Sequence, residues 1–225
     1  MSAWVPRIAL AALTVGIVAG LVSISVGEGG PQPHGVDGTY DVQRIFAGID
    51  QAGADVGEQD AEVTLTVFTD LQCSPCATYH LDVVEPLVED YARPGDVVVE
   101  LRHFSMGRNA TTLAAIGAAA AGEQGRQWQY AGLFFRNQDL VGERGVTEDL
   151  LRDVASAMLG FEMSDWERAL DDPAVAERVE ADATLAAELR LPAEPAVIVT
   201  GPGGQRELID SPDRAEIDAA IAEVG

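Results

Sequence analysis

The sequence predicts an α/β protein, a central sheet with helices on both faces. Three observations carry this. A β-branched run, "VTLTVFT" at residues 63–69, leads into an amphipathic helical pattern and a second apolar run, "VVVELRHF" at 97–104. A long Ala-rich helical stretch follows. The chain then returns to β, with "PAVIVT" (195–200) and "QRELID" (205–210) around the turn "GPGG", and closes on a helix. The order is β-α-β, a helical block, then β-β-α.

An apolar segment precedes the domain. "IALAALTVGIVAGLVSISV", Ile8 to Val26, contains no charged residue. As a helix it would span roughly 28 Å, close to a bilayer's hydrocarbon core. Arg7 flanks it on the amino side and acidic or neutral residues follow from Glu28. That asymmetry places the amino terminus in the cytoplasm and the rest outside. Residues 1–26 are therefore expected to be a signal-anchor or transmembrane helix, giving a single-pass cell-membrane protein with an extracytoplasmic domain. The competing reading is a cleaved signal peptide and a secreted domain, with Ser23-Ile24-Ser25 as a weak cleavage site. Residues 27–60, Gly- and Pro-rich at first, read as a flexible linker with at most a short helix near Tyr40–Ala47. The folded domain is expected over 61–225.

Within it, the first strand is 63–69. Tyr79, Val83, Val84, Leu87, Val88 and Tyr91 recur at helical spacing, which predicts a helix from about Pro75 to Tyr91, kinked at Pro86. The second strand ends near Phe104. A helical insertion is expected at about 106–171. Its signals are Asn109 as a cap, an aromatic face of Trp128, Leu133 and Phe134, and a helix from Thr147 to Gly160. "SDWERAL" adds Ser164 and Glu167 at capping-box spacing. Asp172 and Pro173 open the next helix, the hairpin follows, and Ser211-Pro212 opens the last.

Charge narrows the function classes. The net charge is -23, which argues against nucleic-acid binding. All 14 basic residues are Arg. Nothing before residue 61 resembles a dimerisation segment, so a monomer is expected.

Both cysteines of the chain, Cys73 and Cys76, lie in "DLQCSPCATYH" where a strand ends and a helix begins. A helix N-terminus offers free N–H groups and partial positive charge, which stabilise a thiolate. Cys73, just ahead of the helix, reads as the nucleophile. Cys76, within the first turn, reads as the resolving thiol. Pro75 suits that turn. A structural bridge would close too small a loop to stabilise much. A zinc clip needs four ligands. His80 and His103 complete such a set on paper only, and read as surface or packing residues. A cycling redox pair fits best, outside the membrane where disulfides persist.

"GADVGEQDAEVTLTVFTDLQCSPCATYH", "GEQGRQWQYAGLFFRNQ" and "DPAVAERVEADATLAAELRLPAEPAVIV" together resemble the DsbA-like thioredoxin-fold oxidoreductases over about residues 48–222. The resemblance implies a thioredoxin fold with a helical subdomain inserted between the second and third strands. It implies that Cys73 attacks, Cys76 resolves, and Pro195 follows a cis peptide bond beside the pair. Glu194 would then present a backbone edge to an extended substrate. It implies disulfide exchange with exported, cysteine-containing clients, reoxidation by a quinone-linked membrane protein, and no metal or organic cofactor. Two departures stand out: the dipeptide Ser74-Pro75, and Glu194 where Thr or Val is usual. A carboxylate near Cys73 opposes thiolate formation, so a less oxidising couple is expected. Asp70 is a second candidate modulator of the same sign or a plain turn former, and His80 a third modulator. The alternatives are a reductase or isomerase, or a non-enzymatic tethered module that binds a partner or Cu(I).

Overall fold

The computed structural model describes residues 35–105, 111–208 and 211–225. The apolar segment Ile8–Val26 and the expected cap Asn109 lie outside the described residues. Among the described residues no helix is long and apolar enough to cross a membrane.

Among the described residues the sheet has six strands, in the order β1-β2-β4-β3-β5-β6. They are β1 (Gln51–Ala52), β2 (Asp55–Val56), β3 (Val63–Thr69), β4 (Val97–His103), β5 (Ala196–Gly201) and β6 (Gly204–Leu208). β3 and β4 run parallel, with Val63 beside Val97 and Thr69 beside His103. β5 runs antiparallel to β3, with Phe68 beside Ala196, and β6 closes the hairpin. Central strands of this kind are covered on both faces, which is why 63–69 is a continuous β-branched and apolar run and 97–103 opens on three valines before Glu100, Arg102 and His103 interrupt it.

Strand alternation sorts the core. Leu65, Val67, Val197 and Val199 join one buried cluster with Leu87, Val88 and Ile217. Phe68, Ala196 and Ile198 point the other way and pack with Ala186 and Leu191. The first face is covered by the helical run that starts at Ser74 and by α10 (Arg214–Val224). α9 (Pro173–Glu188) lies along β4. α4 (Thr111–Gly122), α5 (Gln127–Arg136), α6 (Gln138–Arg144), α7 (Glu148–Ser156) and α8 (Met163–Leu170) form the helical block between β4 and α9. Trp128, Tyr130 and Trp166 are wholly buried there, and the two indole N–H groups donate to Ala54 and Gly117 carbonyls.

The run after the cysteines is not a uniform helix. It is α2 (Ser74–Tyr79), a π-helical turn (His80–Val84), α3 (Glu85–Leu87) and a second π turn (Val88–Ala92). Pro86 has no N–H and its ring crowds the carbonyl four residues back. The wider turn before it relieves that crowding: the Glu85 N–H bonds to the His80 carbonyl, one residue farther than in an α-helix. The expected kink is thus taken up as two register changes.

Four sequence expectations are corrected. The linker 27–60 is ordered in its later half: α1 (Thr39–Phe46) buries Val42, Ile45 and Phe46, and β1–β2 extends the sheet through Asp55–Glu100 and Val56–Val99 pairing. Gly57, in that later half, needs its freedom: at φ +114° an added Cβ would lie 2.7 Å from the Val97 carbonyl oxygen. α8 begins at Met163 with Glu162 at the cap position, so Ser164 is no cap. α7 stops at Ser156, short of Gly160. The last helix opens not at Ser211-Pro212 but on a capping box, Asp213 with Glu216.

Candidate active site

Cys73 is the N-cap residue of α2, reached from the end of β3 by the short turn Asp70-Leu71-Gln72. The turn is built by Asp70. Its carboxylate accepts from the Gln72 N–H at 2.8 Å, and its carbonyl accepts from the Cys73 N–H at 3.1 Å. Asp70 is fully buried and shapes the loop from within. Cys73 and Cys76 are joined as a disulfide, with Cα atoms 5.1 Å apart. The Cys76 N–H points at Cys73 Sγ, 3.2 Å away. Cys73 is 9% exposed and Cys76 not at all, while Ser74 and Pro75 face solvent. Cys73 thus keeps a small accessible area under a helix-end donor, while Cys76 keeps none.

The sheet register brings a second loop to the same end. Ala196 lies beside Phe68, so Pro195 lies level with Thr69, where the cysteine turn departs. The Glu194–Pro195 peptide bond is cis. Pro195 is buried, Glu194 half-buried. The Pro195 carbonyl accepts from the Ser211 N–H at 3.3 Å, which ties the loop to the approach to α10. The Tyr79 hydroxyl of α2 donates to the Pro212 carbonyl at 2.9 Å. Burial, with Glu216 and Asp213 nearby, pushes that phenol far above its ordinary range.

Behind α2 lies a buried charged group that sequence reasoning missed. His80 is 2% exposed, its ring 4.5 Å from that of Phe135. Its Nε2 lies 3.6 Å from a Glu85 carboxylate oxygen. Arg136 of α5 donates through both terminal nitrogens to the two Glu85 oxygens. Burial alone would raise the Glu85 carboxyl, but the bonds from Arg136, with His80 beside it, hold it below the usual 4.5. The π turn is what aligns His80 and Glu85: five residues per hydrogen-bonded step stack i on i+5, a spacing outside the α-helical rule.

His103, at the end of β4, is also buried. Its Nε2 lies 3.3 Å from the Gln127 amide, and its backbone N–H donates to Asp182 at 2.9 Å. Burial lowers its proton affinity below the ordinary 6.5, against the pull of Asp182 and Asp70. Both histidines are thus buried within the fold and not at its surface. Among the described residues no group of three or more His, Cys, Asp or Glu side chains is disposed to hold a metal ion.

These shifts set the acid response. Below pH 6.5 the unfolded chain protonates a histidine that the folded chain keeps neutral, so stability falls as pH falls. Below about 4.5 the Glu85 contribution is lost in turn, because its folded value is the lower. The urea midpoint is expected to decline from pH 7 to pH 4. His103→Gln should flatten the first part of that decline; an unchanged slope between pH 6.5 and 5 would contradict the assignment.

The thioredoxin family profile matches residues 50–223. The chain belongs to the thioredoxin family. Within that family it is similar to a probable disulfide bond formation protein D of Bacillus cereus, 27% identical over 149 residues, which covers 65% of this chain and 69% of that one. Among solved structures, oxidised BdbD of Bacillus subtilis aligns with TM-score 0.65 and 23% identity, over 77% of this chain and 95% of the other. Wolbachia pipientis α-DsbA1 aligns with TM-score 0.63 and 16% identity, over 76% and 89%. This thioredoxin-family protein is a DsbA-like thiol–disulfide oxidoreductase, and its Cys-X-X-Cys pair stands at 73–76.

Proposed function

We propose that this oxidoreductase donates its Cys73–Cys76 disulfide to exported proteins outside the cell membrane. The observation that carries the reading is the closed pair at the α2 N-terminus, with Cys73 9% exposed and Cys76 wholly buried. A client thiolate attacks Cys73 Sγ. The Cys73–Cys76 bond breaks, and Cys76 leaves as a thiolate and takes a proton. A second client thiolate then attacks the client sulfur of the mixed disulfide, and Cys73 leaves as a thiolate facing the Cys76 N–H. The client loses two electrons and the pair gains them. A quinone-linked membrane protein is the expected reoxidant. In the reverse direction Cys76 resolves the mixed disulfide. The backbone beside Glu194-Pro195, with Ser74 and Pro75, forms the surface on which an extended client segment lies. The apolar run at 8–26 anchors the domain to the membrane.

The test is refolding of reduced, unfolded ribonuclease by the purified full chain. Wild type is expected to accelerate recovery of activity, and Cys73→Ser to fall to the uncatalysed background. No acceleration by wild type, with tight Cu(I) binding instead, would replace the enzyme by a tethered metal-binding module. One second reading is a reductase or isomerase: a carboxylate at the cis-proline loop, as Glu194 is, would oppose the Cys73 thiolate and make the couple less oxidising. The reduction potential of the couple chooses the direction, and a Cys73 pKa below about 4.5, in the range of DsbA itself, would remove the Glu194 argument.

A further inference from the structure

The cysteine turn is held from outside the sheet. Gln138, the first residue of α6, donates from Nε2 to the Leu71 carbonyl at 2.9 Å and to the Phe134 carbonyl at 3.3 Å. Leu71 is buried, two residues before Cys73. Asp70 fixes the same turn from its other side through the Gln72 and Cys73 N–H groups. Between them, these bonds set the backbone that delivers Cys73 to the end of α2.

The Gln138–Leu71 bond is not needed to end α5 or to seat α6. Asn137 already does that: its side-chain amide donates to Leu133 at 2.7 Å and to Asp37 at 3.0 Å, and its oxygen accepts from the Asp37 N–H at 2.8 Å. α6 buries no residue fully. The bond from Gln138 instead reaches 67 residues back, to the one turn that carries Cys73.

We propose that Gln138 is a positioning residue for thiol–disulfide exchange: by tying the Leu71 carbonyl it keeps Cys73 Sγ over the N–H groups of α2 that stabilise its thiolate. The inference rests on the reading of Cys73 as the exchanging sulfur. A carbonyl oxygen carries partial negative charge. Tied to Gln138, the Leu71–Gln72 peptide is held at both ends, its oxygen by Gln138 and its N–H by Asp70. Untied, it is held at the N–H end alone, and the turn can carry Cys73 off the helix end. Thiolate stabilisation at a helix N-terminus depends on that alignment.

The experiment uses the full chain with Gln138→Met, which removes the donor without adding charge, and Gln138→Glu, which also repels the carbonyl. Three quantities are measured on each: the Cys73 pKa from thiolate absorbance in the reduced protein, the equilibrium with glutathione, and Tm. Gln138→Met is expected to raise the pKa by about one unit, about tenfold less thiolate at a fixed pH below it, and Gln138→Glu by more. The glutathione equilibrium should move toward the disulfide form, with Tm nearly unchanged. A fall in Tm with an unaltered pKa in both variants overturns the inference, because a structural role alone gives that result. Loss of folding in both overturns it too, by making Gln138 a folding residue. If wild type itself exchanges nothing at Cys73, the functional reading fails and the inference falls with it. If wild type exchanges and both variants match it, the inference alone fails.

Discussion

A Cys76→Ser chain should accumulate as mixed disulfides through Cys73. Its Cys73 thiolate still attacks a client disulfide or glutathione disulfide, forming Cys73–S–S–R and releasing the other thiol. No internal thiol is left to expel R. In the wild type, Cys76 is three residues away and held against Cys73, with Cα atoms 5.1 Å apart. Groups oriented in this way act at effective concentrations far above any free thiol. Against millimolar external thiol, the mixed disulfide should therefore live about three orders of magnitude longer, or more. Mass spectrometry after mixing with glutathione disulfide measures it. The reciprocal Cys73→Ser chain should stay unmodified over the same time, because Cys76 has no exposed surface. Equal modification of the two variants would contradict the assigned roles.

The second large effect is on stability. Arg136→Met is expected to destabilise the fold by about 3–5 kcal/mol, since it strands the Glu85 carboxylate in the interior. Glu85 is 4% exposed, and Arg136 meets both its oxygens. For a domain of this size the loss corresponds to roughly 6–20 °C in Tm. Glu85→Gln should cost less, because a neutral amide can stay buried more cheaply than a carboxylate. Thermal denaturation of both variants and the double variant gives the coupling directly. An Arg136→Met chain as stable as wild type would show that water reaches Glu85.

What could be read in the sequence divides along physical lines. β3 and β5 were legible because their residues are almost all β-branched or apolar, and β4 because Val97, Val98, Val99 and Leu101 mark it despite Glu100, Arg102 and His103. The Cys73–Cys76 turn was legible because a strand end and a helix start bracket it in sequence. β1 and β2 were not: each is two residues long, and their pairing is imposed by β4 rather than by local preference. α1 was half legible, since Val42, Ile45 and Phe46 sit at helical spacing but their burial depends on a helix far along the chain. Ser164 misled because capping-box spacing is cheap to satisfy by chance, and Glu162 preceded it. The His80–Glu85–Arg136 group was invisible for two reasons. Its first pair is aligned only by a π turn, and its second is joined only by tertiary packing of α5 on the run after Cys76.

The strand order has a consequence for the chain as it is made. β3, the cysteine turn, the run after it and β4 are contiguous, so the thiol pair can take its place on a partial sheet early in synthesis. β5, which pairs with β3 across more than a hundred intervening residues, brings Pro195 last. Closing so long a loop is slow compared with local helix formation. A nascent or truncated chain thus carries both sulfurs before the cis Glu194–Pro195 loop is in place beside them.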